Sequence, residues 1–339
     1  MVNTAPHPHP SPPPSRGRES VFLTLLAGAL AVIGTQPHAS GYPSQPVRII
    51  VPFLGAELPD NVARIVVSKL DEKSGHRFTV ENNPGDDGHF GAELVAKARP
   101  DGYTLLFAPI TGYAAAAALR ARLHYDLLAD FTPVTLIAGA PQLLLAHPSL
   151  PVKSVAMLIA LAKARPGEIR WASHGNGSLS RLELEMFRAL SGISVERLPV
   201  NDSRAALSSL LVGDADLLFD SLAATLTHIK AGRLRAIAAA GSKRVRALPE
   251  LPTVAAAGIQ GFEADHWYAI LAPEGVEMPV VGKLNDEFAR AIDAGDVGER
   301  LLSLGFEVQR STPAELAAIM RADVAKWAKV IKASGINAR

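Results

Sequence analysis

The sequence predicts an α/β protein of two lobes, the first built on a mostly parallel sheet. Three observations carry this expectation. Short β-rich runs alternate with stretches of helical periodicity from Tyr42 onward, and the alternation falls into two series that divide near Pro141. In addition, 48% of the 339 residues are hydrophobic, enough apolar material for two cores.

In the first series Val47 to Phe53 reads as a buried strand. Asp60 is placed to cap a helix that carries Val62, Ile65, Val66, Lys69 and Leu70 at helical spacing, and Gly75 stops it. Phe78 to Glu81, a Gly/Asp loop at Pro84 to Gly88, a short helix from Gly91 to Ala98, the turn Pro100-Asp101-Gly102 and Thr104 to Ala108 repeat the unit. The second series starts with a strand at Leu143 to Ala146. Ser154 can cap a helix to Ala164, Pro166-Gly167 stops it, and Ile169 to Ala172 is the next strand. Ser178 or Ser180 opens a helix with Leu182, Met186, Phe187 and Leu190 on one face. The rhythm continues through Ile193 to Pro199, Ser203 to Gly213, Ala215 to Phe219, Leu222 to Ala231 and Leu234 to Ala240. Thr312-Pro313-Ala314-Glu315 is a capping box with Pro at the first helical position. It opens an amphipathic helix through Leu316, Ile319, Met320, Trp327 and Ile331.

The first 41 residues differ from the rest. A His/Pro/Ser-rich start, Arg16 and Arg18, and the apolar run Val21 to Ile33 follow the order of a secretory leader. That run is shorter than the roughly 20 residues needed to span a bilayer. Export with removal of residues 1–41 is therefore expected; a short membrane anchor or a disordered tail is the alternative. The stretch from Thr312 to Ser334 is long enough to span, but Arg321, Asp323, Lys326, Lys329 and Lys332 would have to enter hydrocarbon. A formal charge of +1 offers no field toward phosphate backbones, so no nucleic-acid partner is expected. With no cysteine, the chain has neither disulfides nor thiolate chemistry.

Catalytic motifs are missing: there is no Gly-x-Ser-x-Gly elbow, Walker sequence or His-Glu-x-x-His. Gly175-Asn176-Gly177-Ser178-Leu179-Ser180 imitates a dinucleotide fingerprint, but Ser replaces the third Gly, and Glu196 has no clear strand-end position for holding a ribose. No cofactor is expected. Open α/β sheets instead hold ligands beyond the carboxyl ends of their strands, where helix N-termini offer unpaired N–H groups. Phe53 to Asp60, Pro84 to Gly91, Pro109 to Gly112 and Ser173 to Ser178 each follow a predicted strand and precede a helix. Taken singly, each reads equally well as a plain turn; their convergence makes a binding site.

These residues also carry a resemblance. Tyr42-Pro43-Ser44-Gln45-Pro46-Val47-Arg48-Ile49-Ile50-Val51-Pro52-Phe53, Glu81-Asn82, Pro84-Gly85, Gly91-Ala92 and Pro100-Asp101-Gly102-Tyr103-Thr104-Leu105-Leu106 are similar to the substrate-binding proteins of tripartite tricarboxylate transporters, the Bug receptors. So are Asp130-Phe131-Thr132-Pro133-Val134, Phe219-Asp220, His228-Ile229-Lys230-Ala231-Gly232, Leu251-Pro252-Thr253-Val254 and Leu271-Ala272-Pro273. The likeness implies a periplasmic type II binding protein, a Venus flytrap with crossing hinge strands near Ala140 to Leu143 and near Asp265 to Ile270. Residues 42–141 with 266–339 would form one lobe and 142–265 the other. It further implies a monomer that captures a carboxylate, amide or amino-acid-like metabolite for transporter membrane subunits. A ligand-sensing receptor for a signalling protein and an envelope α/β enzyme are the alternatives.

Candidate ligand contacts are Phe53, Ala56, Glu57, Asp60, Asp87, Thr111, Ser173, Asn176, Ser178 and Asp220. The sequence departs from the family inside these loops. Ala56-Glu57 stands where the family usually has Gly-Gly, and Asp86-Asp87 interrupts its Pro-Gly-Ala-Gly-Gly. Val200-Asn201-Asp202 replaces Tyr-Lys-Gly, and Arg181 replaces a His. Carry-over is thus firmer for Asp60, Thr111, Ser173, Asn176, Ser178 and Asp220 than for Glu57, Asp87 and Asp202. If any of those three acids points inward, a neutral, zwitterionic or amine-bearing ligand is expected instead of a di- or tricarboxylate.

Overall fold

The computed structural model describes residues 41–119, 123–175 and 178–336; the predicted leader, apart from Gly41, lies outside them. The first strand, β1 (Val47–Val51), is buried at Val47, Ile49, Ile50 and Val51, the near-continuous apolar run of a strand covered on both faces. Helix α1 (Leu58–Ser74) begins before Asp60, because Pro59 is well tolerated in a first turn whose N–H groups have no partner anyway. Glu57 therefore occupies the cap position, and Asp60 is not the cap that the sequence suggests. Gly75, at φ 69°, closes the helix in a left-handed turn. There follow β2 (Phe78–Asn82), a 3-10 turn at Asp86–Gly88, α2 (His89–Ala96), β3 (Thr104–Pro109), α3 (Ile110–Leu119) and β4 (Phe131–Gly139).

The second series runs β5 (Gln142–Ala146), α4 (Val155–Ala164), β6 (Arg170–His174), α5 (Leu179–Ser191), β7 (Glu196–Val200), α6 (Ser203–Val212), β8 (Leu217–Ser221), α7 (Leu222–Lys230) and β9 (Arg235–Ala239). Ser154 and Ser178 cap α4 and α5 as expected, accepting from the Met157 and Arg181 amides. The chain ends with β10 (Trp267–Pro273), α8 (Met278–Ile292), α9 (Gly295–Ser303), β11 (Glu307–Val308) and α10 (Pro313–Ser334). Both arms of the Thr312/Glu315 capping box are present, and α10 lays Leu316, Met320, Trp327 and Ile331 into the core.

Two sheets organise these elements. One has six strands in the order β11-β4-β10-β3-β1-β2, the other five in the order β7-β6-β8-β5-β9. Each sheet holds one three-stranded parallel unit, β2 and β3 flanking β1 in the first and β7 and β8 flanking β6 in the second, and the remaining pairings are antiparallel, so neither sheet is mostly parallel, against the expectation for the first. The strand order reverses beside β1 in the first sheet and beside β6 in the second, and these switch points open a crevice at the carboxyl ends. The chain leaves the first sheet between β4 and β5 and returns ahead of β10. The two passages run side by side, with the Ala140 N–H donating to the His266 carbonyl at 2.9 Å. Trp171, Phe187, Phe219 and Phe262 pack ring on ring in the second sheet's core. In the first, Phe107 stacks on Tyr268 and Phe78 meets Phe288 edge-on.

Candidate functional site

The strand-end loops of both sheets face one cleft of about 1350 Å³. On the first sheet's side, the loop after β1 is held from behind by Asp60, which is fully buried. Its carboxylate accepts from the Ala56 amide, Arg64 Nε and Asn82 Nδ2, each at 2.8 Å. Burial works to raise this carboxyl's pKa, but those donors and the Arg64 charge prevail and hold it below the usual carboxylate range. Asn82 also donates to the Phe53 carbonyl at 3.0 Å, so the loop is tied at both ends. The loop after β2 is pinned by the Tyr113 hydroxyl, which donates to the Gly88 carbonyl at 2.8 Å. Ala56, Asp86 and Asp87 all take left-handed conformations, with φ of 67°, 46° and 55°. These are unusual for residues with a Cβ and fix the loops in one shape.

On the second sheet's side, the Ser178 Oγ donates to the His174 carbonyl and accepts the Arg181 amide. Ser180 Oγ lies 3.2 Å from both Ser178 Oγ and His174 Nδ1, joining three cleft-lining polar groups. Burial lowers the His174 pKa against the opposing charges of Asp202 and Asp87, so the fold disfavours the imidazolium. Asp220, at the end of β8, lines the floor and accepts the Ser221 amide at 2.7 Å. Desolvation raises its pKa to about 6, aided by the nearby Glu183 charge and opposed by the Ser221 hydrogen bond and His266. Glu183 is fully buried on α5, with Oε1 2.9 Å from Nε2 of His266, which also lines the cleft. Tyr268 stands between Phe53 and Phe107, and burial together with the Glu57 charge raises its pKa. Among the described residues no group of three or more His, Asp or Glu is arranged to hold a metal ion. No helix among them is long and apolar enough to cross a membrane.

The family model described as the tripartite tricarboxylate transporter family receptor matches residues 62–336. The chain belongs to this receptor family. It is 32% identical to BugT of Bordetella pertussis, over 91% of this chain and 94% of that protein. Among solved structures, it is 33% identical to an R. palustris protein with adipate, with a TM-score of 0.74, covering 87% of this chain and 99% of that one. It is 32% identical to MatC from Rhodopseudomonas palustris with bound malate, with a TM-score of 0.69, covering 86% and 100% of the two chains. The fold is accordingly that of a type II periplasmic binding protein, two α/β lobes with crossing hinge strands.

Of the residues singled out in this receptor's sequence, Phe53, Glu57, Asp87, Ser178 and Asp220 line the cleft. Asp60 stands behind the first loop. Ala56 brings its amide to Asp60, and its side chain is not among those lining the cleft. Thr111 is buried one layer deeper: its hydroxyl donates to the Asp265 carbonyl and accepts the Trp267 amide, each at 3.1 Å, so it ties α3 to the returning passage. Ser173 is fully buried and accepts from Arg197 Nε at 2.8 Å. Asn176 lies outside the described residues. Asp202 caps α6 by accepting the Ala205 amide, so its position in the changed loop serves the helix end. Sequence reasoning reached Asp86 and His174 only as members of their loops and missed His266, Tyr268, Ser180 and Gln142 in the lining. The available signal was position: His174 ends a parallel strand, and His266 and Tyr268 sit where the chain returns to the first sheet.

Proposed function

We propose that this receptor captures a small polar metabolite between its lobes in the periplasm and delivers it to the membrane subunits of a tripartite transporter, without turning it over. One observation carries the reading: strand-end loops from two separate sheets meet at one cleft whose two connecting passages lie side by side. Residues 42–141 with 266–339 act as one lobe and 142–265 as the other, closing about Ala140-Pro141 and Asp265-His266. The cleft exceeds the roughly 300–1,000 Å³ of a small-molecule pocket, so approach of the lobes would complete the contacts. Phe53, Glu57, Asp87, Ser178 and Asp220 touch ligand, while Ala56, Asp60, Thr111 and Ser173 hold the touching groups in place. The leader at residues 1–41 directs export and is removed.

A thermal-shift screen of the mature chain over carboxylates, amides, amino acids and amines tests capture. A ligand at a hundred times its dissociation constant adds about 2.7 kcal/mol to the native state. A chain that no small solute stabilises, or a compound consumed during incubation, would refute the reading. Mass spectrometry of protein from a periplasmic extract should show an N-terminus between Ala39 and Tyr42; an intact Met1 would refute export.

A further inference from the structure

We infer that His266 touches the bound solute through Nδ1 and that Glu183, buried behind the cleft, positions its ring for that contact. The inference rests on the capture reading above and names a contact within the same site. His266 stands on the passage that returns to the first sheet, and it lines the cleft. Its backbone is held from both sides. The Ala140 N–H donates to its carbonyl at 2.9 Å, while the Thr111 hydroxyl donates to the Asp265 carbonyl before it and accepts the Trp267 amide after it, each at 3.1 Å. What stays adjustable is the side chain, since the χ2 torsion of a histidine is broad.

Glu183 is placed to set that torsion. It lies on α5 one turn after the cleft-lining Ser180 and has no solvent exposure. Its Oε1 is 2.9 Å from His266 Nε2, yet neither carboxyl oxygen is aligned with a donor. Other charged groups around the ring do not supply one. Asp220, at the end of β8, is itself an acid, Asp265 turns its carboxylate to the Ser242 amide, and Lys326 on α10 is paired with Asp323 at 2.8 Å. Burial raises the Glu183 pKa, and His266 is the strongest influence drawing it back. A carboxylate out of water without a donor is costly, and a small turn of the imidazole relieves that cost by aiming Nε2–H along it. The ring proton is thereby kept on Nε2, which leaves Nδ1, with no hydrogen bond to any described residue, as the ring's polar atom toward the cleft. A solute bonded there is tied to the residue that joins the two passages, so capture acts directly on the hinge.

Calorimetry on the mature chain with adipate, malate, glutamine and 1,4-diaminobutane tests both roles, and nitrogen NMR of histidine-labelled protein reads the ring itself. His266→Ala should weaken the tightest of the four probes about ten-fold or more. Glu183→Met, similar in length and uncharged, should weaken it about five-fold while the unliganded melting temperature holds or rises, since an apolar chain replaces a buried acid. Glu183→Gln keeps an acceptor for Nε2–H and should return the affinity to within about two-fold of wild type. In the His266→Ala background, Glu183→Met should change the affinity no further. The unliganded ring should carry its proton on Nε2 in wild type and lose that preference in Glu183→Met. Unchanged binding in His266→Ala would overturn the contact and leave capture intact. Additive losses in the double variant, or ring nitrogens indifferent to Glu183→Met, would overturn the positioning role. Silence from these probes and from the wider screen would overturn capture, and the contact with it.

Discussion

Replacing Asp220 by Asn should stabilise the unliganded protein at neutral and alkaline pH. The side chain is set into the cleft floor beside Glu183, and desolvation raises its pKa to about 6. An unfolded aspartate releases its proton near pH 3.9. Between about pH 4 and pH 6 the folded carboxyl therefore keeps a proton that the unfolded chain has given up, and stability falls as pH rises through that window. Each pH unit of the difference is worth about 1.4 kcal/mol, so ionised Asp220 costs the fold about 3 kcal/mol at pH 8. Asn keeps an oxygen for the Ser221 amide and removes the charge. Thermal melts of both proteins at pH 4, 5, 6 and 8 should coincide at pH 4 and diverge above it, with the variant higher by roughly 5 °C at pH 8. A variant that melts lower than wild type at pH 8, or whose stability falls between pH 4 and 6 as steeply, would show that the floor carboxyl is not held out of water.

Removing the Asp60 carboxylate by Asp60→Ala should cost about 1–3 kcal/mol in urea unfolding, because Asn82 and the Ala56 amide lose their shared acceptor while the half-exposed Arg64 can turn to water; a loss under about 0.5 kcal/mol would contradict the clamp. Ala56→Gly relieves a left-handed Ala at φ 67°, worth about 1–2 kcal/mol, against about 0.5–1 kcal/mol of added unfolded-chain entropy. A net gain of up to about 1 kcal/mol is expected in denaturant titration, and a net loss would mean that the loop is unstrained. Gly102→Ala should cost about 2–5 kcal/mol, since its φ is 82° and a Cβ there would lie 2.6 Å from Val280 Cγ1 and 3.0 Å from the Tyr42 ring; wild-type stability would refute that packing.

Much of the scaffold was legible because short continuous apolar runs give way cleanly to helical periodicity, as from β1 to α1. It failed where that contrast vanishes. Helix α3 is apolar nearly all round, since it is buried between β3 and α10, and so shows no face to read. Strand β4 escaped the element reading for a related reason: it threads the sheet between β10 and β11, and Thr132 and Pro133 interrupt its apolar run just after Phe131. The site was legible as loops and not as contacts. Strand-end position found Phe53, Glu57, Asp87, Ser178 and Asp220, while it could not separate the lining from the layer behind it, where Asp60, Thr111 and Ser173 lie. Nor could spacing reveal that Glu183, Asp220 and His266, drawn from a helix, a strand end and a returning passage, meet at one floor.

That division of labour explains how pocket acids can appear on an otherwise family-like chain. The shape of each cleft loop is imposed by groups outside the cleft: Asp60 and Asn82 on the first loop, Tyr113 on the second. Left-handed backbone at Ala56, Asp86 and Asp87 persists because those groups over-determine it, although each such residue costs about 1–2 kcal/mol relative to an ordinary conformation. Side chains projecting from a backbone fixed elsewhere can change charge without changing loop geometry. Ligand charge preference can then shift while the sheets, the crossing passages and the hinge stay as they are. Asp220 differs from these loop positions: burial at the cleft floor raises its pKa to about 6, so the fold holds this carboxyl, when ionised, at some expense of stability.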